Sequence, residues 1–291
     1  MFLGENRLII GKDCQLIYES KDYYRKRLKV LEKEKYVRRV NRFYIKLDDK
    51  GTKMVKLFGY EYNFGCRNKE YVERKKEIAK IAALSINNPM EFIASWNIKN
   101  KDIYTQVSRK FIGELKYCRK SRIVYYISKD KAINYIQNII NDMKKLIDIK
   151  DIIIFMENFQ YTDNFKNFIL GNNSTMIINP TQYNLDIMRE IEKTDLYPIV
   201  KMIHNNNEIL LSNWKKADYM TNDRVYIAVM PFLDIERLFA LNMFFKNNQN
   251  TNRKIEIITL KENHNKIEKF LDRKVCIIEL DEWLGGVNED M

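Results

Sequence analysis

The sequence predicts a mixed α/β protein, with a small basic unit at residues 1–67 followed by a larger unit of alternating strands and helices at 68–291. Three features lead there. Residues 1–80 hold 22 Lys and Arg against 12 Asp and Glu, whereas the other 211 hold 29 against 27, so most of the net charge of +12 sits in the first stretch. Within it, an amphipathic helical pattern precedes a run of aromatic and β-branched residues. Beyond it, short apolar runs alternate with segments whose apolar residues recur at helical spacing, the pattern of a covered, largely parallel sheet. With 45% apolar residues the chain can bury a substantial core. Its length exceeds the commonest single-domain size, and a further boundary is expected near residues 158–172.

The N-terminal elements follow from local chemistry. Asp13 to Glu19, centred on Cys14, Leu16 and Ile17, predicts one or two helical turns. Ser20 is a natural N-cap, and Asp22 falls in the first turn, where the helix dipole favours a carboxylate. From there Tyr24, Leu28 and Leu31 mark the buried face of a helix, while Lys21, Arg25 and Lys29 recur every fourth residue on another face, with Lys26 and Lys33 alongside. Tyr36 to Leu47 predicts a strand, Asp48-Asp49-Lys50-Gly51 a turn, and Thr52 to Phe58 the returning strand. Gly59 and Gly65 bracket a linker. Too few residues precede Asp13 for a full first helix, so either Phe2 to Ile10 replaces it or the unit is shortened.

A basic helix followed by a hairpin is the second half of a winged helix-turn-helix. In that arrangement the helix lies in the major groove and the wing touches the flanking backbone. Lys21, Arg25, Lys26 and Lys29 would then face the groove, with Arg25 the candidate base contact, since a guanidinium bonds guanine O6 and N7 together. Arg38, Arg39 and Arg42 would line the wing, and Lys50 and Lys53 at its tip would hold phosphates. Tyr23 and Tyr24 could stack beside the backbone. The plainer alternative is a solvated charged face on an ordinary helical hairpin.

The run Tyr23-Tyr24-Arg25-Lys26-Arg27-Leu28-Lys29-Val30-Leu31-Glu32-Lys33, then Tyr36-Val37-Arg38-Arg39, Tyr44-Ile45-Lys46-Leu47 and Lys50-Gly51, resembles the winged helix of the replication-relaxation family. Those proteins are encoded by plasmids and other mobile elements of low-GC bacteria. A looser resemblance extends to Glu157. It implies a non-enzymatic protein that binds double-stranded DNA and regulates transcription, replication or maintenance of a plasmid, phage or other mobile element. Winged helices usually double their half-sites through dimers, so a homodimer held by the second unit is expected.

In the second unit the spacing predicts a helix over Tyr71 to Leu84, strands at Glu91–Ile98, Lys110–Tyr117 and Arg122–Ser128, and a helix from Lys131 to Ile147. Asp151 to Glu157, containing Ile-Ile-Ile-Phe, predicts a strand buried on both faces. Strands at Thr175–Ile178, Ile209–Leu211, Val225–Phe232, Lys254–Leu260 and Val275–Leu280 alternate with helices at Gln182–Glu192, Asp234–Phe245 and Asn263–Leu271. Helix, three strands, helix, strand over 71–157 is also the order of a restriction-endonuclease-like core, so a Mg²⁺-dependent nuclease, or a degenerate form of that scaffold, is an alternative. Such cores hold Mg²⁺ with an aspartate and a Glu-x-Lys. Asp102, Glu114 and Lys116 are the candidates, although the next strand, Ile123 to Ile127, carries no carboxylate and a second Glu-x-Lys stands at Glu73-Arg74-Lys75. A structural adaptor without DNA chemistry is the third reading.

Other chemistries find no support. Cys14, Cys66, Cys118 and Cys276 share no C-x-x-C spacing and read as reduced, mostly buried thiols, and His204 and His264 read as loop residues, so no metal site is expected. None of the nine glycines forms a phosphate loop, and no Ser/His/Asp set is evident. Met230-Pro231-Phe232-Leu233-Asp234 falls where α/β sheets often bind ligands, but reads more simply as a helix start with Asp234 in the first turn. Trp96, Trp214 and Trp283 read as core. No cofactor or small-molecule ligand is expected, nor a membrane span, since no apolar run nears about 18 residues. Met1 to Lys12 lacks the features of a signal peptide, so the expected location is cytoplasmic.

Overall fold

A computed structural model describes residues 2–18, 20–40, 44–62, 69–86, 88–98, 110–117, 120–146, 151–165, 174–205, 208–247, 254–271 and 275–281, without the side chains of Lys12 and Lys21. The chain is mixed α/β. It divides into two compact units, Met1–Ser128 with Pro180–Arg189, and Lys129–Asn179 with Glu190–Met291.

The first unit opens with a short helix, α1 (Phe2–Asn6), a two-residue strand, β1 (Ile9–Ile10), and a 3-10 turn over Gly11–Leu16. Helix α2 (Lys21–Lys33) follows, then strands β2 (Val37–Val40) and β3 (Tyr44–Leu47). The strands form an antiparallel sheet in the order β1-β3-β2, with Ile9 opposite Ile45 and Val37 opposite Leu47. So Phe2 to Ile10 supplies both a short helix and an edge strand, where the sequence suggested one or a truncation.

Two expectations fail in the next stretch. Thr52 to Phe58 is not a returning strand, and Asp48 to Gly51 is not the hairpin turn: the segment is helix α3 (Asp49–Leu57). The hairpin instead pairs β2 with β3, with Val40 opposite Tyr44, and residues 41–43 between them lie outside the described residues. Helix wins because Asp49 lies in the first turn and Lys56 in the last, both matching the dipole, and because Gly51 and Val55 are buried one turn apart. Nor is Gly51 there to permit a left-handed turn. A Cβ on it would lie 2.0 Å from the Tyr36 carbonyl oxygen, so glycine lets α3 approach the start of β2.

Helix α2 ends in a Schellman motif. Tyr36 N donates to Leu31 O at 2.9 Å and Lys35 N to Glu32 O at 3.1 Å, with Lys35 in the left-handed region at φ 62°. That conformation is costly for a residue with a Cβ.

Helix α4 (Lys69–Ser85) packs against β1, the 3-10 turn and α1, and also against the antiparallel strands β4 (Glu91–Ala94), β5 (Gly113–Tyr117) and β6 (Lys120–Ile127) through β4. One helix thus serves two sheets, and nine of its residues are buried, among them Lys75 and Glu77.

In the second unit, α5 (Ile133–Met143) precedes β7 (Asp151–Met156), whose Ile152 to Met156 are fully buried, as its unbroken apolar run requires. Strand β8 (Ser174–Ile178) pairs parallel with β7. Helix α6 (Gln182–Lys193) is divided between the units at Arg189. Helix α7 (Tyr197–Ile203) and strands β9 (Ile209–Leu211), β10 (Tyr219–Thr221) and β11 (Val225–Val229) follow, then a two-residue strand, β12 (Leu233–Asp234), antiparallel to β8. Helix α8 (Ile235–Asn247), β13 (Lys254–Thr259), α9 (His264–Leu271) and β14 (Cys276–Glu279) complete a five-stranded sheet, ordered β14-β13-β11-β10-β9. Its β11, β13 and β14 run parallel, and β9 and β10 antiparallel. The sheets are therefore mixed, where a largely parallel one was expected.

Two substitutions test these backbone constraints. Gly51→Ala should lower the melting temperature by about 4 °C or more, since overpacking costs on the order of 1–3 kcal/mol. Lys35→Gly should raise it by about 1–3 °C by relieving the left-handed lysine. Calorimetric melts of the two variants beside the parent chain check both signs.

Candidate nucleic-acid interface

The cationic face rests on a buried seam. Tyr24 and Leu28 of α2 pack with Ile9, Cys14, Val37, Ile45, Leu47, Val55 and Ala83, and Leu31 joins from the edge. Ser20 caps the helix as expected, its hydroxyl accepting from Tyr23 N at 3.4 Å. Since this stripe claims one side, Arg25, Lys26, Arg27, Lys29, Val30 and Lys33 are left exposed. At about 100° per residue, Lys26, Lys29 and Lys33 lie opposite the stripe while Arg25 lies on its flank. The Arg25 guanidinium is 6.0 Å from the Tyr24 ring.

The predicted contacts do not all fall together. The backbone of Lys21 opens α2, but its side chain lies outside the described residues, and so does Arg42. Arg38 and Arg39 are on β2 and already face carboxylates: Arg39 Nε donates to Glu32 Oε1 at 2.6 Å, and Arg38 Nε lies 3.8 Å from Asp48 Oδ1. Lys50 and Lys53 are exposed on α3 and not at a wing tip, Lys50 lying 6.0 Å from the Tyr36 ring. Tyr24 belongs to the core, which removes it from the surface. Tyr23 is 55% exposed, edge-on to Tyr18 at 5.7 Å.

Arg27 and Val30 were missed in the sequence because neither lies on the Lys21-Arg25-Lys29 spacing. Val30, 41% exposed among cations, adds an apolar side chain to that face close to the half-exposed Tyr23. Counting exposed positions away from the apolar stripe, and not cations alone, would have found Val30, whereas Arg27 borders that stripe.

Of the alternative nuclease residues, only Glu114 and Lys116 fall among the described residues, both on β5. Glu114 is 2% exposed in the middle of β5, between Ile93 and Ile123, and accepts from the Ser121 hydroxyl. Lys116 is two residues on, opposite Glu91 and Ser121, and Asp102 lies outside the described residues. Among the described residues no group of three His, Cys, Asp or Glu side chains is placed to hold a metal ion.

The remaining polar residues are structural. Cys14 is buried, with burial pushing its thiol up to about 12, whereas Cys276 is exposed against expectation; Cys66 and Cys118 lie outside the described residues. Neither histidine is a bare loop residue: His204 Nε2 lies 3.4 Å from Glu256, and His264 Nδ1 lies 3.1 Å from Glu279. Trp214 packs on Tyr226 and Phe244, Trp96 is half-buried with its ring under Arg7, and Trp283 lies outside the described residues. Asp234 caps α8, accepting from Arg237 N at 3.1 Å. Among the described residues no helix is long and apolar enough to cross a membrane. No protein-family model, curated protein or solved structure matches the chain.

Beside that cap, Glu236 accepts from Thr175 N at 2.6 Å, and burial, reinforced by the nearby Asp234 charge, raises its pKa to about 7. Folding therefore favours the protonated acid. Its contribution is fully present below about 4.5 and is lost as pH rises through about 7. Glu236→Gln keeps an acceptor for Thr175 and removes the titration. The variant should melt above the parent at pH 8 and level with it at pH 4; equal melting at pH 8 would refute the assignment.

Proposed function

We propose that residues 1–67 form a winged-helix unit that binds duplex DNA, and that the chain is a non-enzymatic regulator of transcription, replication or maintenance of a mobile element. The observation that carries this reading is the exposed cationic side of α2, held on a hairpin by the seam beneath it. The element order supports it: helix, edge strand, turn, basic helix and hairpin, with the sheet running β1-β3-β2. In such a unit the second helix enters the major groove, and the β2–β3 hairpin would be the wing. The resemblance to the replication-relaxation family points to a plasmid or phage setting.

In this arrangement Lys26, Lys29 and Lys33 meet the groove and its phosphates, while Arg25 and Val30 flank them as base-edge contacts. Arg38 and Arg39, themselves exposed, exchange half-buried carboxylate partners for phosphates, a low-cost exchange because single ion pairs near the surface contribute about 0–1 kcal/mol. A homodimer doubles the half-site.

The test uses DNA from the protein's own locus in a gel shift and nicking assay, with and without Mg²⁺. The expected result is protection of one site without cutting, and affinity that falls steeply with salt. Arg25→Ala should weaken the preferred site by roughly 10- to 100-fold and leave random DNA nearly unchanged, while Lys29→Ala should weaken both and lower the salt slope by about one. Mg²⁺-dependent cutting abolished by Glu114→Ala would replace this reading with the nuclease, and a chain that sediments as a monomer on DNA would remove the dimer.

A further inference from the structure

Beneath α2 the N-terminal sheet does not close fully on its helices. A cavity of about 280 Å³ lies there, lined by Ile17, Tyr18, Leu28, Leu31, Ile45 and Met54 among others. Among the described residues, every lining residue belongs to residues 2–55, and none carries a charge. The only polar side-chain groups among them are the Cys14 thiol, which donates to Ile10 O at 3.8 Å, and the hydroxyls of Tyr18 and Tyr36. Met54 is partly exposed, so the space reaches the surface beside α3.

The lining offers water few polar partners, so a ligand that covers it removes apolar surface from water. A fully enclosed apolar cavity of roughly half the size takes up benzene, and this space differs in opening to solvent beside Met54. We propose that it is a binding site for a neutral, mainly apolar small molecule of about two fused rings, or one ring with a short chain. The inference stands on the cavity alone and does not require the chain to bind DNA. Such a ligand would touch Leu28 and Leu31 on the inner side of α2, Gly51 and Met54 of α3, and Tyr36 at the junction between them. Its presence would therefore bear directly on how α2 sits on the hairpin.

Indole is a suitable probe of the full-length chain, followed by titration calorimetry and methyl-resolved NMR. Saturable one-to-one binding is expected, with Kd of roughly 10–1000 µM for so small a molecule. Methyl shifts should concentrate at Ile9, Ile17, Leu28, Leu31, Ile45 and Val55, and indole at about ten times its Kd should raise the melting temperature by roughly 2–4 °C. Leu31→Phe and Ile17→Phe fill the space from two sides, and whichever folds should weaken binding at least tenfold. Absence of saturable binding, or methyl shifts centred outside residues 2–55, overturns the proposal in the unmodified chain, whatever the variants do. Unchanged affinity in a folded filling variant overturns it as well.

Discussion

The seam between α2 and its hairpin is the interaction on which the N-terminal unit depends. Helix α2 could not stand alone: thirteen residues is near the lower limit for an isolated helix, and its clustered cations repel one another. What holds it is the burial of Tyr24 and Leu28 against Val37, Ile45 and Leu47. That one-sided burial also determines where the charge goes. A lysine on the seam would be desolvated without a partner, so the cations are driven to the opposite surface and the neutral apolar stripe faces inward. Core and cationic face are two consequences of a single pattern. The core continues into the rest of the unit, because Ala83 of α4 joins the same cluster and α4 also packs on β4.

Legibility followed burial. Elements with a strong one-sided pattern, such as α2, or a fully apolar one, such as β7, could be read from sequence because one physical requirement dominated. The hairpin was misread because its two strands are four residues each, and the whole of Tyr36 to Leu47 looks like one strand. The residues between the two strands, Asn41, Arg42 and Phe43, include no glycine to mark a turn. The eye moves instead to Asp48-Asp49-Lys50-Gly51, where the acids start a helix and the glycine serves a backbone contact made with Tyr36. Gly51 answers to a neighbour in space, which no local pattern reveals. The short helix α7 and the strand β10 escaped for a similar reason, their periodicity being too brief to stand out. At the candidate interface, the cations themselves were legible, but their partners were not. Glu32 and Asp48 lie seven and ten residues from the arginines they meet, brought there by the turn after α2 and by the approach of α3.

Arginine shows how burial separates roles that sequence leaves equal. Arg237 is held by two bonds to Asp218, Nη2 to Oδ1 at 2.6 Å and Nη1 to Oδ2 at 2.8 Å, and a third to Val229 O at 3.0 Å. Asp218 also accepts from Val229 N, so the pair ties β11 to the start of α8. A partly buried, two-pronged arrangement of this kind is poorly exchangeable, because removing one partner strands the other. Arg38 and Arg39 stand in contrast, each exposed and meeting its carboxylate through Nε alone in the contacts described. Water screens those pairs, and a phosphate offers equivalent oxygens with the added gain of counterion release. The two arginines of β2 are thus not neutralised by Glu32 and Asp48 in any lasting way. An anion that follows the face of α2 and the outside of β2 would meet charge held in place by the apolar seam but weakly committed to the protein itself.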